Sequence, residues 1–402
     1  MCRLCAPQLR DTTEVSKPMA STEVVIIGGG ISGTAAAYEL ARAGVRVALI
    51  EKGALASMAS GWTLAGVRQS GRHPAELPLA QAAVRRWTTL DTELDAETEY
   101  RQGGNIRLAR SPDEVPVIKA MVREQRERGL DLAFLPDNAA VRAVAPAVAE
   151  TVLAASFCPT DGHANPTQTV RAFAVAAERH GATILTETEV TGIETAGDTV
   201  RGVETTRGPI AADVVINVAG VYADRICRMV GLDLPITTAH VAAIQTVPGP
   251  SLIAPVIGVA NADFAGRQEV SGAFRMTGGS GPWQWPIGPL AAEDVQPAIH
   301  AVAPVLERGC AILPALREMR IARIWGGLLD MTPDGLPVIE ATPVTGFIVA
   351  AGFSGHGFCL GPVTGQMLCE LATRGAASLP LEPFRLARFA GMHARVAPTL
   401  HG

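Results

Sequence analysis

Lysine is almost missing from this 402-residue chain: it stands only at Lys17, Lys52 and Lys119, so arginine supplies 31 of the basic side chains. Runs of like charge are missing as well, and the formal net charge is only -5. A nucleic acid or an anionic membrane surface is therefore not expected as a partner, and a small molecule is. Cysteine is scarce and scattered, at Cys2, Cys5, Cys158, Cys227, Cys310, Cys359 and Cys369. The odd number argues against a disulfide framework and for a reducing compartment, which makes the cytoplasm the default expectation. Cys2 and Cys5 form one C-x-x-C, but no second pair stands at zinc or iron–sulfur spacing, so no metal is expected. The stretch from Met1 to Thr22 lacks the apolar core of a signal peptide or transmembrane anchor and reads as a flexible leader, with Met19 as a candidate start. Internal repeats and low-complexity tracts are absent.

What is present is a substantial hydrophobic fraction, 48%, in a chain long enough for about two domains at roughly 100–200 residues each. The run EVVII, 23–27, is short and β-branched, as a buried parallel strand should be. ISGTAAAYELARAG is helical in composition and ends at Gly44, and VRVALIEK then reads as a second strand closed by Glu51. Between strand and helix lies G-x-G-x-x-G, as Gly28, Gly30 and Gly33. Gly28 permits the tight turn, Gly30 lets backbone approach a pyrophosphate, and Gly33 lets the helix pack close, while free N–H groups at the helix start bind the anion. Glu51 can accept hydrogen bonds from a ribose diol and would repel a 2′-phosphate, which disfavours NADP. NAD and FAD share this motif, and the motif does not choose between them.

Further along, residues 75–99 carry apolar side chains at helical spacing, 105–109 (NIRLA) reads as a strand, and the charged segment Asp113 to Arg128 reads as a helix with a solvated face. A helix is expected from Asn165 to Ala182, with Pro166 at its start, followed by strand material. A hairpin and the buried strand VVINVA, ending in Gly220, restore the dinucleotide domain. From Gly231 to Trp325 short strands alternate with Pro/Gly turns, giving a β-rich second domain in which WQWPIG, from Trp283 to Gly288, reads as a packed turn. GFIVAAGFSGHGF is a strand running into a glycine loop before a helix.

Four blocks together make the sequence resemble the D-amino-acid oxidase superfamily, in its sarcosine oxidase β-subunit, glycine oxidase and hydroxyproline dehydrogenase branch. They are VVIIGGGISGTAAAYELARAGVRVALIEK, DGHANPTQTVRAF, VVINVAGVYAD, and WGGLLDMTPDGLPVI with GFIVAAGFSGHGFCLGPVTG. The resemblance selects FAD. It implies an α/β fold: a Rossmann-like FAD-binding domain of GR2 type with a second, β-rich α+β substrate domain. The expected bounds are a leader at 1–19, an FAD-binding domain from 20–88, 155–228 and 326–375, a substrate domain from 89–154 and 229–325, and a tail at 376–402.

The same resemblance spreads the FAD contacts over Gly28, Gly30, Ile31, Ser32, Gly33, Glu51, Lys52, Ser60, Gly61, Val190, Gly220, Gly327, Gly352, Gly355, His356 and Gly357. Arg68 matches an arginine that binds substrate carboxylate, and a guanidinium fork suits that role, although an ordinary surface arginine is the alternative. His356 should lie beside the flavin; His240 faces the same cavity or is simply a core histidine; His163 shapes a turn. Departures from the pattern carry expectations too. Leu329 replaces an arginine of glycine oxidases and D-amino-acid dehydrogenases, and Gly327 replaces a flavin-linking cysteine, so FAD should be held non-covalently. Pro166 or Gln168 stands where a histidine links FMN in the β-subunits, so FMN or an iron–sulfur centre would come only through partner subunits. Cys359 replaces a lysine after GHGF, and with no lysine near the flavin, electrons should leave to a partner rather than rapidly to dioxygen. The expected activity is oxidation of a secondary amine or amino acid of proline, hydroxyproline, sarcosine or opine type to an imine, by hydride transfer to flavin, in the catalytic β subunit of a complex. The alternatives are a stand-alone glycine or D-amino-acid oxidase and a non-catalytic flavin electron-transfer subunit.

Overall fold

The computed structural model describes residues 21–287 and 295–391. The Cys2–Cys5 pair, the expected leader and Gly288 lie outside the described residues. The first strand, Val24–Ile27, and the next, Val47–Ile50, are buried at every position. They sit at the centre of a six-stranded sheet, and such a strand must be apolar on both faces. Its order is Val338–Ala341, Phe347–Ala351, Val214–Asn217, Val24–Ile27, Val47–Ile50, Thr183–Leu185. All pairs are parallel except the edge strand Val338–Ala341, which runs antiparallel to Phe347–Ala351.

The first helix, Ile31–Arg42, lies against the late helix Gly357–Arg374 on one face. Glycine makes this close packing possible: a Cβ on Gly361 would come within 2.5 Å of Ile31 Cγ2, and one on Gly365 within 2.5 Å of Ala35 Cβ. The opposite face is covered by the antiparallel strands Val190–Ala196, Thr199–Thr205 and Ile210–Ala211.

A second, nine-stranded sheet forms the other layer. It is antiparallel except where Val256–Val259 runs parallel to Asn105–Ala109. Side chains alternate across it. Ile106, Leu108, Ile244, Val259 and Phe274 point into one core together with the helix Ile299–Ile312. That helix corrects the reading of 231–325 as strands and turns: Pro304, inside it, breaks the helical pattern on paper. Trp285 is 64% exposed, so the WQWPIG turn is not packed as expected; the Trp283 ring lies tilted beside His240, at 5.6 Å between ring centroids.

The long strand Ile321–Met331 joins the layers. It pairs with Thr237–Thr246 along the second sheet, and at its end Asp330 accepts a backbone hydrogen bond from Ser354 N–H at 3.0 Å. No helix among the described residues is long and apolar enough to cross a membrane.

Candidate active site

The turn after the first strand is built for backbone rather than side chains. Gly28 has φ +121°, and a Cβ there would stand 2.5 Å from Val218 O. A Cβ on Gly33 would stand 2.0 Å from Gly28 O, so the helix can sit this close only with glycine at that position. The helix begins at Gly30 without a side-chain cap of its own; Ser60 Oγ accepts from Ile31 N–H at 3.0 Å. Glu51 anchors the turn from the second strand, Oε2 accepting from Gly29 N–H at 2.6 Å and Oε1 from Gly53 N–H at 2.8 Å. A cavity of about 130 Å³ opens here, lined by Gly28, Gly30, Glu51, Lys52, Ser60, Val190 and Gly220. Lys52 Nζ lies 3.2 Å from the centroid of the Tyr222 ring, and burial pushes its ammonium below the usual lysine range.

A larger cavity, about 260 Å³, continues from it. Gly30, Ser60, Gly220 and Asp330 line both. The larger one lies between the layers and is also lined by Ile31, Ser32, Gly327, Gly355, His356 and Gly357, at the N-terminus of the late helix. Gly33, Gly61 and Gly352 stand outside both linings and serve the backbone. Gly61 would meet Ala56 O at 2.0 Å with a Cβ, and Gly352 has φ +72° with Thr332 Cγ2 2.3 Å from its Cβ position. Asp330 steadies that loop: its Oδ2 accepts from Gly352 N–H at 2.6 Å, and burial pushes its carboxyl up to about 6 against the pull of these N–H groups.

The far wall of the larger cavity carries charge. Arg68, Arg72 and Arg107 all line it. Burial, with Arg72 and Arg107 alongside, pushes the Arg68 guanidinium well below the usual arginine range. Burial and Arg72 bring Arg107 down to about 10, with Asp161 opposing. Arg68 Nη1 donates to Ser70 O at 2.6 Å and Arg72 Nε to Arg68 O at 3.2 Å, so the loop 68–72 folds around its own arginines. Asp161 pins this loop, accepting from Gln69 N–H at 2.8 Å, Ser70 N–H at 3.2 Å and Ser70 Oγ at 2.5 Å.

His356 Nδ1 lies 3.0 Å from Glu76 Oε2. Burial and Arg72 hold the imidazole down at about 4, so at neutral pH it is uncharged. Burial opposes the charge on Glu76, but His356, Arg72 and Arg68 outweigh it and keep the carboxyl at about 2. The ionised carboxylate therefore accepts from His356 Nδ1–H. Cys359 also lines the cavity; its buried thiol is pushed up and its Sγ donates to Arg68 O at 3.4 Å.

His240 is not brought here. Val241 and Ala243 on its strand face the cavity, so His240, one residue out of phase, points to the other side of the sheet, its Nε2 2.9 Å from Val295 O. His163 is buried and bonded to Arg267 Nη1 at 3.1 Å. Reading the sequence missed Arg72, Glu76, Arg107, Asp161 and Asp330. Signals existed for two of them: Arg72 stands four residues from Glu76, and Arg107 is a charge inside the otherwise apolar run NIRLA.

A glycine turn under a helix N-terminus, a carboxylate at the end of the second strand and a long double cavity define a dinucleotide-binding oxidoreductase. Comparison with known proteins gives the family. The model of the FAD dependent oxidoreductase family (DAO) matches residues 23–371, and the chain belongs to that family; its cofactor is FAD. The chain is 30% identical over 389 residues to the sarcosine oxidase subunit beta of Rhizobium meliloti (strain 1021), covering 92% of this chain and 89% of that one. It is 27% identical over 381 residues to the glycine oxidase of Geobacillus kaustophilus, covering 92% and 97%. Among solved structures, the L-proline dehydrogenase from P. horikoshii superposes with a TM-score of 0.84 at 31% identity, over 94% of this chain and 100% of that one.

The residues present fit FAD. The glycine turn leaves no room for side chains where a diphosphate approaches, Glu51 lines the smaller cavity, and the N-terminus of the 18-residue late helix opens on the larger one. Gly28, Gly30 and Glu51 line the smaller cavity and are suited to the ADP half; Ser32, Gly355 and Gly357 line the larger one, where a helix N-terminus favours negative charge and suits the flavin half.

Proposed function

We propose that the chain oxidises the C–N bond of a secondary amino acid, of the sarcosine, proline, hydroxyproline or opine type, as the catalytic β-type subunit of a multi-subunit dehydrogenase. The observation that carries this reading is the arginine wall, Arg68 and Arg72 above all, in the same cavity as the glycine loop at 355–357. Bound FAD would supply the two-electron acceptor: the C–H hydrogen leaves with its electron pair, the N–H proton passes to solvent, and the product is an imine. The chain's own residues position the substrate. Arg68 and Arg72 take the carboxylate, since a guanidinium is the side chain whose fork matches two carboxylate oxygens. His356, neutral and tied to Glu76, adds bulk without adding charge beside the arginines. Val241, Ala243, Gly258 and Ala265 give the floor an apolar patch against which the carbon side of the substrate can rest.

Similarity to sarcosine oxidase β subunits supports partner subunits. Lysine placement supports an electron exit other than dioxygen: Lys52 sits over Tyr222 at the smaller cavity, and Lys119 is exposed on the helix Glu114–Glu127. Dye reduction is expected to outpace oxygen consumption in steady state, and equal rates would overturn that part. FAD is held non-covalently, so acid precipitation should leave the yellow colour in the supernatant. The central test is anaerobic reduction of the flavin by L- and D-proline, the hydroxyprolines, sarcosine and opines. Bleaching by one of these is expected, and a flavin that none of them bleaches sinks the reading.

A further inference from the structure

Arg107 occupies an expensive position. It lies mid-strand in Asn105–Ala109, 7% exposed, paired across to Gly258 on one side and Ser156 on the other. The row continues from Gly258 to Ala265 and on to Thr277. Directly opposed residues share a face, so two small residues leave open floor beside the Arg107 side chain. Its head reaches the loop from the other layer: a Cβ on Gly71 would lie 2.5 Å from Arg107 Nη2 and 3.2 Å from Arg68 Nη1. Gly71 has φ +70°, so conformation and space both reserve this position for glycine.

Asp161 opposes this charge only from a distance. Among the described residues no hydrogen bond and no ion pair reaches the Arg107 guanidinium, while the oxygens of Asp161 are occupied by Gln69 and Ser70. Arg72 Nη1 is buried without a hydrogen-bond partner as well, 3.9 Å from Glu76 Oε2. Arg68, Arg72 and Arg107 against Asp161 and Glu76 leave one positive charge over, in a place where an uncompensated charge is costly. All three arginines line the larger cavity and none lines the smaller one, so the dinucleotide's phosphates do not account for them.

We propose that Arg107 is a further substrate-binding residue: from the floor of the second sheet it grips the same carboxylate that Arg68 and Arg72 hold from the loop, and so selects a substrate with a single carboxylate at this end. The inference rests on the amino-acid reading above, and it is tested by binding as well as by turnover. The holoenzyme, Arg107→Met and Arg107→Lys are titrated with pyrrole-2-carboxylate, a planar carboxylate that cannot be oxidised at a saturated C–N bond, and Kd is read from the shift in the visible flavin spectrum. Loss of one bidentate charge-assisted contact should raise Kd about 10- to 100-fold in Arg107→Met, with partial recovery in Arg107→Lys. For whichever amino acid reduces the flavin, the ratio of its kcat/KM to that of its decarboxylated amine should fall about as far, mainly through KM. An Arg107→Met enzyme that keeps its flavin and its wild-type Kd overturns the proposal. Should the Met variant lose flavin, the Lys variant decides: a raised Kd supports the contact and an unchanged Kd refutes it. If no amino acid bleaches the wild-type flavin, the functional reading fails, while the Kd comparison still decides on Arg107.

Discussion

The two cavities are built by different means. The turn that opens the smaller one is built from backbone: Gly28 and Gly29, which admit no Cβ, a helix start without a cap of its own, and the Glu51 carboxylate held by Gly29 and Gly53 N–H. The larger one is walled by side chains from distant segments, with arginines from the loop 68–72 and from strand Asn105–Ala109 and a histidine from residue 356, while Asp330 stands where the two meet. Backbone sites tolerate almost no change in shape, because a peptide carbonyl cannot move aside. Side-chain sites tolerate shape changes better and respond instead to charge and pH.

That contrast sets the expected outcomes, beginning with the backbone site. Gly33→Val should remove bound FAD altogether, since the first added carbon already lies 2.0 Å from Gly28 O and two more follow it. Overpacking of this kind costs about 1–3 kcal/mol even where neighbours are flexible, and here they are backbone. The check is the ratio of flavin absorbance to protein after desalting. A Gly33→Val enzyme with full flavin content would mean that the turn is not rigid and would erase the contrast.

Glu76→Gln is the next largest. It keeps an acceptor for His356 Nδ1–H but removes the negative charge beside Arg72, leaving a buried guanidinium less compensated, at a cost of about 1–3 kcal/mol. The pH dependence has a definite sign. Glu76 ionises at about 2 in the fold against 4.5 ordinarily, so the unfolded chain takes up its proton first and this stability is lost as pH falls from about 4.5 toward 2. His356, at about 4 against 6.5, acts in the same direction between those values, because the unfolded imidazole protonates first. Thermal unfolding of the two proteins at a series of pH values should show the gap narrowing below pH of about 4.5. A gap that widens in acid contradicts the assignment of an ionised Glu76.

The same contrast explains what could be read from the chain alone. Gly28, Gly30, Gly33 and Glu51 fall within 24 residues, and each is tied to a local turn whose residue requirements are known. Strand and helix types followed from local composition for the same reason. Arg72 and Arg107 are 35 positions apart and meet only because a loop from one layer lies over a strand of the other, and no local pattern encodes that meeting. His240 went astray through phase: in a strand, one position decides which face a side chain takes, and Val241 and Ala243 hold the cavity side. The helix Ile299–Ile312 was hidden by Pro304, which tertiary packing against the second sheet tolerates.

Asp330→Asn should have the smallest effect and the most informative sign. The carboxyl titrates at about 6 in the fold against 3.8 ordinarily, so the folded chain binds its proton more readily than the unfolded one. Its contribution is therefore present below about pH 4 and is lost as pH rises to about 6; above that, a buried carboxylate is carried at a cost. Asparagine keeps an oxygen for Gly352 N–H and never ionises, but its amide N–H₂ needs an acceptor of its own, which offsets part of the relief. A net gain of about 1 kcal/mol at pH 8 is expected, with none or a small loss at pH 5, read from paired unfolding curves. An asparagine variant that suffers more at pH 8 than at pH 5 would show that the ionised carboxylate itself holds the glycine loop. The loop would then be maintained by charge, like the arginine wall, rather than by backbone geometry, like the turn at Gly28.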